Sequence, residues 1–246
     1  MAKVTASPNI VHVGTVADGS TDHLVVFKLA TILLTVPGST IRTEHVELSQ
    51  SLVDPMGRFR ANLKTATATG FADKPIGKLG DDMLDVLISA FGEFSNRTAR
   101  AIGCHDVLIL NTDAELRISP EDKYFDPWAQ AITKVALTAV ERFYHRKCRE
   151  GYEFDHLPHI VPLILFPSTE VLVAAARLTL PQRFEIRGHT AKELKEKLYG
   201  TTELFRISPD QFDELALSYL THERCRNVFR YLPEARLFFR SLCVNG

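Results

Sequence analysis

The sequence predicts an α/β fold, with a parallel or mostly parallel sheet flanked by helices and a helical appendage at the C-terminal end. Three apolar runs carry that prediction: residues 11–17, 106–110 and 160–166. Each is short, rich in β-branched residues and continuous rather than alternating, the pattern of strands buried on both faces. Long helix-patterned stretches separate them, and a β-α-β order with long crossovers implies a parallel sheet covered by helices.

After the first strand, Gly19 and Ser20 make a turn, and Ser20 or Thr21 is expected to cap a helix that runs to about residue 34 and stops before Pro37-Gly38. A weakly supported strand follows near 46–52. Residues 54–79, rich in Gly, Thr, Ala and Lys, read as a loop or short helix. A second helix is expected to start at Asp81-Asp82, where acids favour a helix N-terminus, and to reach Ile102 before Gly103. Its apolar stripe is Met83, Leu84, Val86, Leu87, Ala90, Phe91 and Phe94. A third helix covers roughly 127–149, with Trp128 as a packing anchor at its start. The third apolar run leads into Glu170 and a helix of small apolar residues over 171–176.

Beyond this point the chain changes character. Thr190-Ala-Lys-Glu193 is a capping box and Gly200 a helix stop. Ser208-Pro209 begins another helix, and the last segment, 222–242, is helical on either side of Pro233. The division expected is an α/β domain over 1–177 and a helical extension over 178–246 packed on it.

Composition bounds the function. At 246 residues with 45% hydrophobic content, the chain can bury a real core. A net charge of −1 supplies no global field toward nucleic acid or membrane, although the C-terminal part is mildly basic on a mildly acidic body. Cys104, Cys148, Cys225 and Cys243 are scattered without a Cys-x-x-Cys pair, which argues against a zinc ribbon and a disulfide framework and leaves cytoplasmic thiols as the default. The longest apolar stretches are too short to span a bilayer, so no membrane role is expected. No Gly-x-Gly-x-x-Gly follows the first strand and no Walker A sequence occurs, so neither dinucleotide binding nor an intrinsic ATPase is indicated. His156 and His159 flank a Pro and read as loop histidines rather than a metal pair.

Each apolar run ends in acidic or amide side chains. The first leads into Asp18-Gly-Ser-Thr-Asp22, the second into Asn111-Thr-Asp-Ala-Glu115 and the third into Ser168-Thr-Glu170. Exits of parallel strands converge on one crevice. Clustered carboxylates repel unless a cation lies between them, so the arrangement suggests a divalent-metal site. Gly19 permits the sharp turn that aims Asp18 into the crevice, and the alternation of Asn111 and Asp113 puts both side chains on one side. Taken singly, each element also reads as a turn, an Asx cap or a helix-start acid.

These residues resemble the Toprim domain layout, in which an acidic residue and a Gly-x-Thr-acid turn follow one strand and an Asp-x-Asp-like exit follows another. The closer similarity is to small bacterial Toprim-like proteins related to the nuclease half of OLD-family proteins. There the third strand carries a proline and leads into a Glu followed by small residues, as Pro162 and Glu170 do here. The closing helix of that group is similar in kind to Arg224-Cys-Arg-Asn-Val-Phe-Arg230 and Phe238-Phe-Arg-Ser-Leu242.

The resemblance implies Mg²⁺- or Mn²⁺-dependent nucleic-acid cleavage, in anti-phage defence beside an ABC- or AAA-type ATPase partner. It implies Asp18, Asn111, Asp113, Glu115 and Glu170 as metal ligands. Asp18, Asp22, Asp113 and Glu170 are the implied catalytic set, with Asp18 moving the proton and Asp22 supporting a ligand or water. Arg177, Arg183 and Arg187 are candidate phosphate contacts, with Lys74 and Lys78 behind them. Several positions depart from the family pattern: Asp18 replaces a Glu, Asn111 an Asp, Ser168 an acid and Ala176 an Asp. Each change removes charge or reach, which keeps open a degenerate Toprim-like module that binds a partner or nucleic acid without cutting.

Overall fold

Four strands form one sheet in the order β2-β1-β3-β4, every neighbouring pair parallel. They are β1 (Ile10–Val16), β2 (Arg42–Glu47), β3 (Val107–Asp113) and β4 (His159–Leu165). The structure, a computed structural model, describes residues 10–17, 19–35, 38–48, 53–68, 73–113, 125–166, 168–177 and 186–243. The α/β class, the parallel sheet and the helical C-terminal segment are as the sequence predicts.

The continuous apolar runs exist because β1, β3 and β4 are covered on both faces. Val11, Val13, Val107, Ile109, Val161 and Leu163 pack on one side against α1 (Ser20–Leu34) and α5 (Glu170–Arg177). That core also takes in α6 (Ala191–Tyr199), α7 (Pro209–Leu215), α8 (His222–Tyr231) and α9 (Pro233–Cys243). Val16, Leu108, Leu110, Ile160 and Ile164 pack on the other side against α2 (Val53–Ala68), α3 (Asp73–Arg97) and α4 (Phe125–Arg149). Gly14 sits where α3 comes closest to the sheet: a Cβ there would meet the Phe94 ring at 3.0 Å and Leu108 at 3.1 Å.

Several boundaries differ from the sequence reading. Within that stretch, residues 54–68 lie in α2 and residues 73–79 form the first turns of α3. Its buried Met56, Phe59, Leu63 and Ala66 make one stripe at helical spacing, and tertiary burial outweighs a weak local propensity. The second strand lies at Arg42–Glu47 rather than 46–52. It is an edge strand with a single neighbour, so it needs no continuous apolar run. Helix α3 begins at Asp73 and ends at Arg97, short of Gly103. Gly19, in extended geometry, occupies the N-cap of α1 with no side-chain cap bond, and Ser20 is already helical.

The C-terminal helices begin and end as predicted. Thr190 and Glu193 cap each other reciprocally, Gly200 adopts the left-handed conformation at φ 71°, and Ser208 and Gln211 make a second capping box ahead of Pro209. Pro233 divides α8 from α9. Pro162 lies in edge strand β4, where a missing N–H is tolerated. The Trp128 side chain lies outside the described residues. Among the described residues no helix is long and apolar enough to cross a membrane.

A buried ion pair anchors the strand starts. Asp106 is fully buried and accepts from Arg100 at 2.6 and 2.9 Å, from the Gly103 N–H at 3.0 Å and from the His12 N–H at 2.9 Å. Arg100 also donates to the Ile10 carbonyl, 2.9 Å away. Burial alone would raise the Asp106 pKa, but the Arg100 guanidinium and the two backbone donors hold the carboxyl below its ordinary range. Removing the carboxylate leaves the Gly103 and His12 N–H groups without their acceptor and Arg100 with backbone carbonyls alone. Asp106→Ala is expected to cost about 3 kcal/mol or more, measured by urea denaturation; a loss below about 1 kcal/mol would contradict the clamp.

Candidate functional site

The strands all run one way, so β1, β3 and β4 release their chains at one edge. From β1 the chain moves to β2 on one side, and from β3 it moves to β4 on the other. A crevice at this reversal, outside the carboxyl ends of the strands, is where ligands of open parallel sheets bind.

One hydroxyl organises this edge. Thr169, just ahead of α5, accepts a hydrogen bond from Asn111 Nδ2 at 3.0 Å and donates to Asp113 Oδ1 at 3.1 Å. A hydroxyl has a single hydrogen, so both roles are fixed: the amide must donate and the carboxylate must accept. The end of β3 is thereby tied to the start of α5, and Asn111 and Asp113 share a side as their alternation predicts. Glu170 is the first residue of α5 and only 3% exposed. Its Oε1 lies 3.6 Å from Lys195 Nζ on α6.

Three oxygens beside this bridge are buried without a hydrogen-bond partner: Asn111 Oδ1, Ser168 Oγ and Glu170 Oε2. Buried polar atoms in folded proteins are nearly always satisfied, so these are chemically conspicuous. All three are oxygens, the donor type that suits Mg²⁺ or Mn²⁺. Among the described residues no group of three or more His, Cys, Asp or Glu side chains could hold a metal ion. Asp18 and Glu115 lie outside the described residues.

Asp22 and Glu170 approach a common neighbour, Tyr199. Burial first, then the negative charges of Glu170 and Asp22, push the Tyr199 hydroxyl far above its ordinary pKa, while Arg177 opposes them. Arg177 itself is held inside the protein. It donates to the Leu198 carbonyl and, at 3.2 Å, to the Leu215 carbonyl, and its guanidinium lies 5.1 Å from the centre of the Tyr219 ring. It works as a strut between α5 and the C-terminal helices. Arg183 and the side chains of Arg187 and Lys74 lie outside the described residues; Lys78 is exposed on α3. Neither His156, which is exposed, nor His159, at the start of β4, belongs to this edge.

The sequence reading missed Thr169, Lys195 and Tyr199. Thr169 stood inside the quoted Ser-Thr-Glu motif, but its role as a bridge depends on β3 lying alongside. Lys195 and Tyr199 reach the site from a helix far away in sequence, and no local spacing announces them.

A second polar cluster lies along the same edge. Thr15 Oγ1 is 2.7 Å from His23 Nδ1 and 2.7 Å from His45 Nε2. With both rings neutral, the hydroxyl donates to one and accepts an N–H from the other, an arrangement that puts the two rings in the same tautomer. Phe27 stacks on His45 at 4.4 Å. Burial lowers both histidines; His23 adds to the effect on His45, which is brought down to about 4, and Glu47 works against it at both rings.

The chain matches no family model, no curated protein and no solved structure. The site therefore rests on its own geometry: an α/β protein with a buried oxygen cluster where its strands end.

The histidine pair sets an acid dependence. Between the ordinary 6.5 and the folded value of about 4 for His45, the unfolded chain takes up a proton that the folded chain refuses. The folded state therefore loses stability as pH falls from 6.5 toward 4, and this contribution levels off below. Melting temperature followed from pH 7.5 to 4 should fall across this window, and His45→Asn should flatten the fall. An equally steep fall in the variant would show that His45 is not its source.

Proposed function

We propose that the strand-exit cluster is a phosphoryl-handling site of Toprim type and that the chain is a divalent-metal-dependent nuclease acting on nucleic-acid phosphodiesters. The observation that carries this reading is the Thr169 bridge, with Asn111 Oδ1, Ser168 Oγ and Glu170 Oε2 left buried and unsatisfied around it. Asn111, Asp113 and Glu170, with Asp18 and Glu115, would hold Mg²⁺ or Mn²⁺. When bound, that ion lowers the pKa of a water and neutralises charge building on the phosphodiester. Thr169 keeps the Asn111 amide and the Asp113 carboxylate in one orientation. Asp18 is the proposed proton-transfer group, and Asp22, at the first turn of α1, supports a ligand or water. Lys195 places a positive charge beside Glu170. Anti-phage defence with an ATPase partner belongs to the same proposal and rests on the sequence resemblance alone.

The Lys195–Glu170 ion pair supports a second reading. Its ammonium already supplies a cation to one of the few carboxylates here, and Asn111, Ser168 and Ala176 lower the acid count further. A module of this kind binds a partner or nucleic acid without cutting.

The two readings part in one assay. Purified protein is incubated with plasmid and with single-stranded DNA or RNA, in Mg²⁺ or Mn²⁺, beside Asp113→Ala and Glu170→Gln. The nuclease reading expects cleavage that falls at least about 10-fold in both variants and stops on chelation. Equal cleavage by all three proteins would remove the site from the reaction, and no cleavage with any substrate or metal would favour the binding module.

A further inference from the structure

A half-open cavity of about 560 Å³ is lined by the start of α1, by Lys195 on α6, which pairs with Glu170, and by residues between Thr202 and Phe212. We propose that it binds one nucleoside monophosphate unit, with the base on Phe205 and the phosphate at Lys195. This deepens the nuclease reading and rests on it for the link to cleavage, by naming the substrate as an unpaired terminal nucleotide.

Size is the first argument. Pockets for small organic ligands span roughly 300–1,000 Å³, and 560 Å³ lies inside that range. A stacked duplex cannot present a base to such a space, whereas the end of a single strand can.

The chemistry of the walls is the second. Phe205 is 83% exposed, in a short 3-10 turn over Leu204–Arg206 that lines the cavity. An aromatic ring this exposed has surface available for a planar partner, and base stacking on aromatic side chains is a main source of affinity for unpaired bases. Leu24, 41% exposed, adds apolar surface from α1. The Arg206 guanidinium lies 5.8 Å from the centre of the Phe205 ring and pairs with Glu203.

The polar wall meets what is left of a nucleotide. Lys195 is part-exposed, lines the cavity and pairs through its ammonium with Glu170, so one residue joins the cavity to the oxygen cluster. A phosphate there would lie beside the carboxylates proposed to cleave its ester. Ser20, Thr21 and Thr202 bring hydroxyls that donate to phosphate oxygens. Asp22 and Glu203 supply carboxylates, which accept from sugar hydroxyls.

The test measures binding without turnover. Wild type, Phe205→Ala, Lys195→Gln and, as a distant control, Phe154→Ala are titrated by calorimetry in excess chelator. The probes are adenosine 5′-monophosphate, inorganic phosphate, a fluorescein-labelled single-stranded hexanucleotide ending in a phosphate, and a blunt duplex. Both phenylalanines are exposed, and circular dichroism verifies that each variant is folded.

The proposal expects saturable binding of the monophosphate, weakened about tenfold or more by Phe205→Ala and also by Lys195→Gln, with Phe154→Ala unchanged. Equal Phe205 dependence for the hexanucleotide assigns the cavity to chain ends; monophosphate binding alone assigns it to free nucleotides. No saturable monophosphate binding, equal affinity in Phe205→Ala, or tighter binding of duplex than of single strand overturns it. Chelator suppresses cleavage here, so the two readings are scored in separate assays: binding here with no cleavage in the metal-supplied assay would sink only the nuclease reading, and cleavage there without this binding would sink only the cavity.

Discussion

Every strand of the sheet runs the same way, and both of its faces are covered, so each chain exit is forced to the same edge. That constraint gives the molecule two dissimilar ends. At the strand starts, Asp106 gathers Arg100, Gly103 and His12 into a saturated buried network. At the strand exits, polar groups accumulate that the local fold does not saturate, among them Asn111 Oδ1, Ser168 Oγ and Glu170 Oε2. Saturated buried polar networks rigidify a fold, and unsatisfied ones mark where a fold has given up stability. His159 Nε2 at the start of β4 is unsatisfied as well, so what sets the exit edge apart is its three oxygens beside the Thr169 bridge.

The C-terminal helices are tied into that edge. They share one core with α1 and α5, Arg177 reaches from α5 to carbonyls of Leu198 and Leu215, and Lys195 reaches back to Glu170. A cation of α6 therefore meets an acid of α5, while the cation of α5 is held by backbone carbonyls. The hydroxyl of the partly buried Tyr199 is held protonated by burial first and then by the charges of Glu170 and Asp22. Its neutral hydroxyl and the Lys195 ammonium limit how much negative charge the cluster exposes. One ion pair, Lys195 with Glu170, thus ties the helical segment to the strand-exit edge.

Much of this was legible in the sequence because it depended on local rules. The capping boxes at Thr190 and Ser208, the left-handed Gly200 and the break at Pro233 require only neighbours a few residues away. Asn111 and Asp113 share a side because strand geometry alternates. The misread positions were those where distant partners decide. The stretch of helix α2 read as a loop or short helix, and Met56, Phe59, Leu63 and Ala66 made it a full helix by covering a sheet face. Strand β2 carries no apolar run because its pairing with β1, not its own burial, holds it in place.

By itself, then, the sequence determined the α/β class, the apolar runs that become the inner strands, and the polar residues at their exits, since each follows from backbone geometry and the exclusion of water from apolar side chains. Tertiary structure alone decided that one threonine hydroxyl would join Asn111 to Asp113, that Lys195 would confront Glu170, and that Phe205 would stand over a cavity beside them. Those relations link residues up to dozens of positions apart, and only chain folding sets such distances.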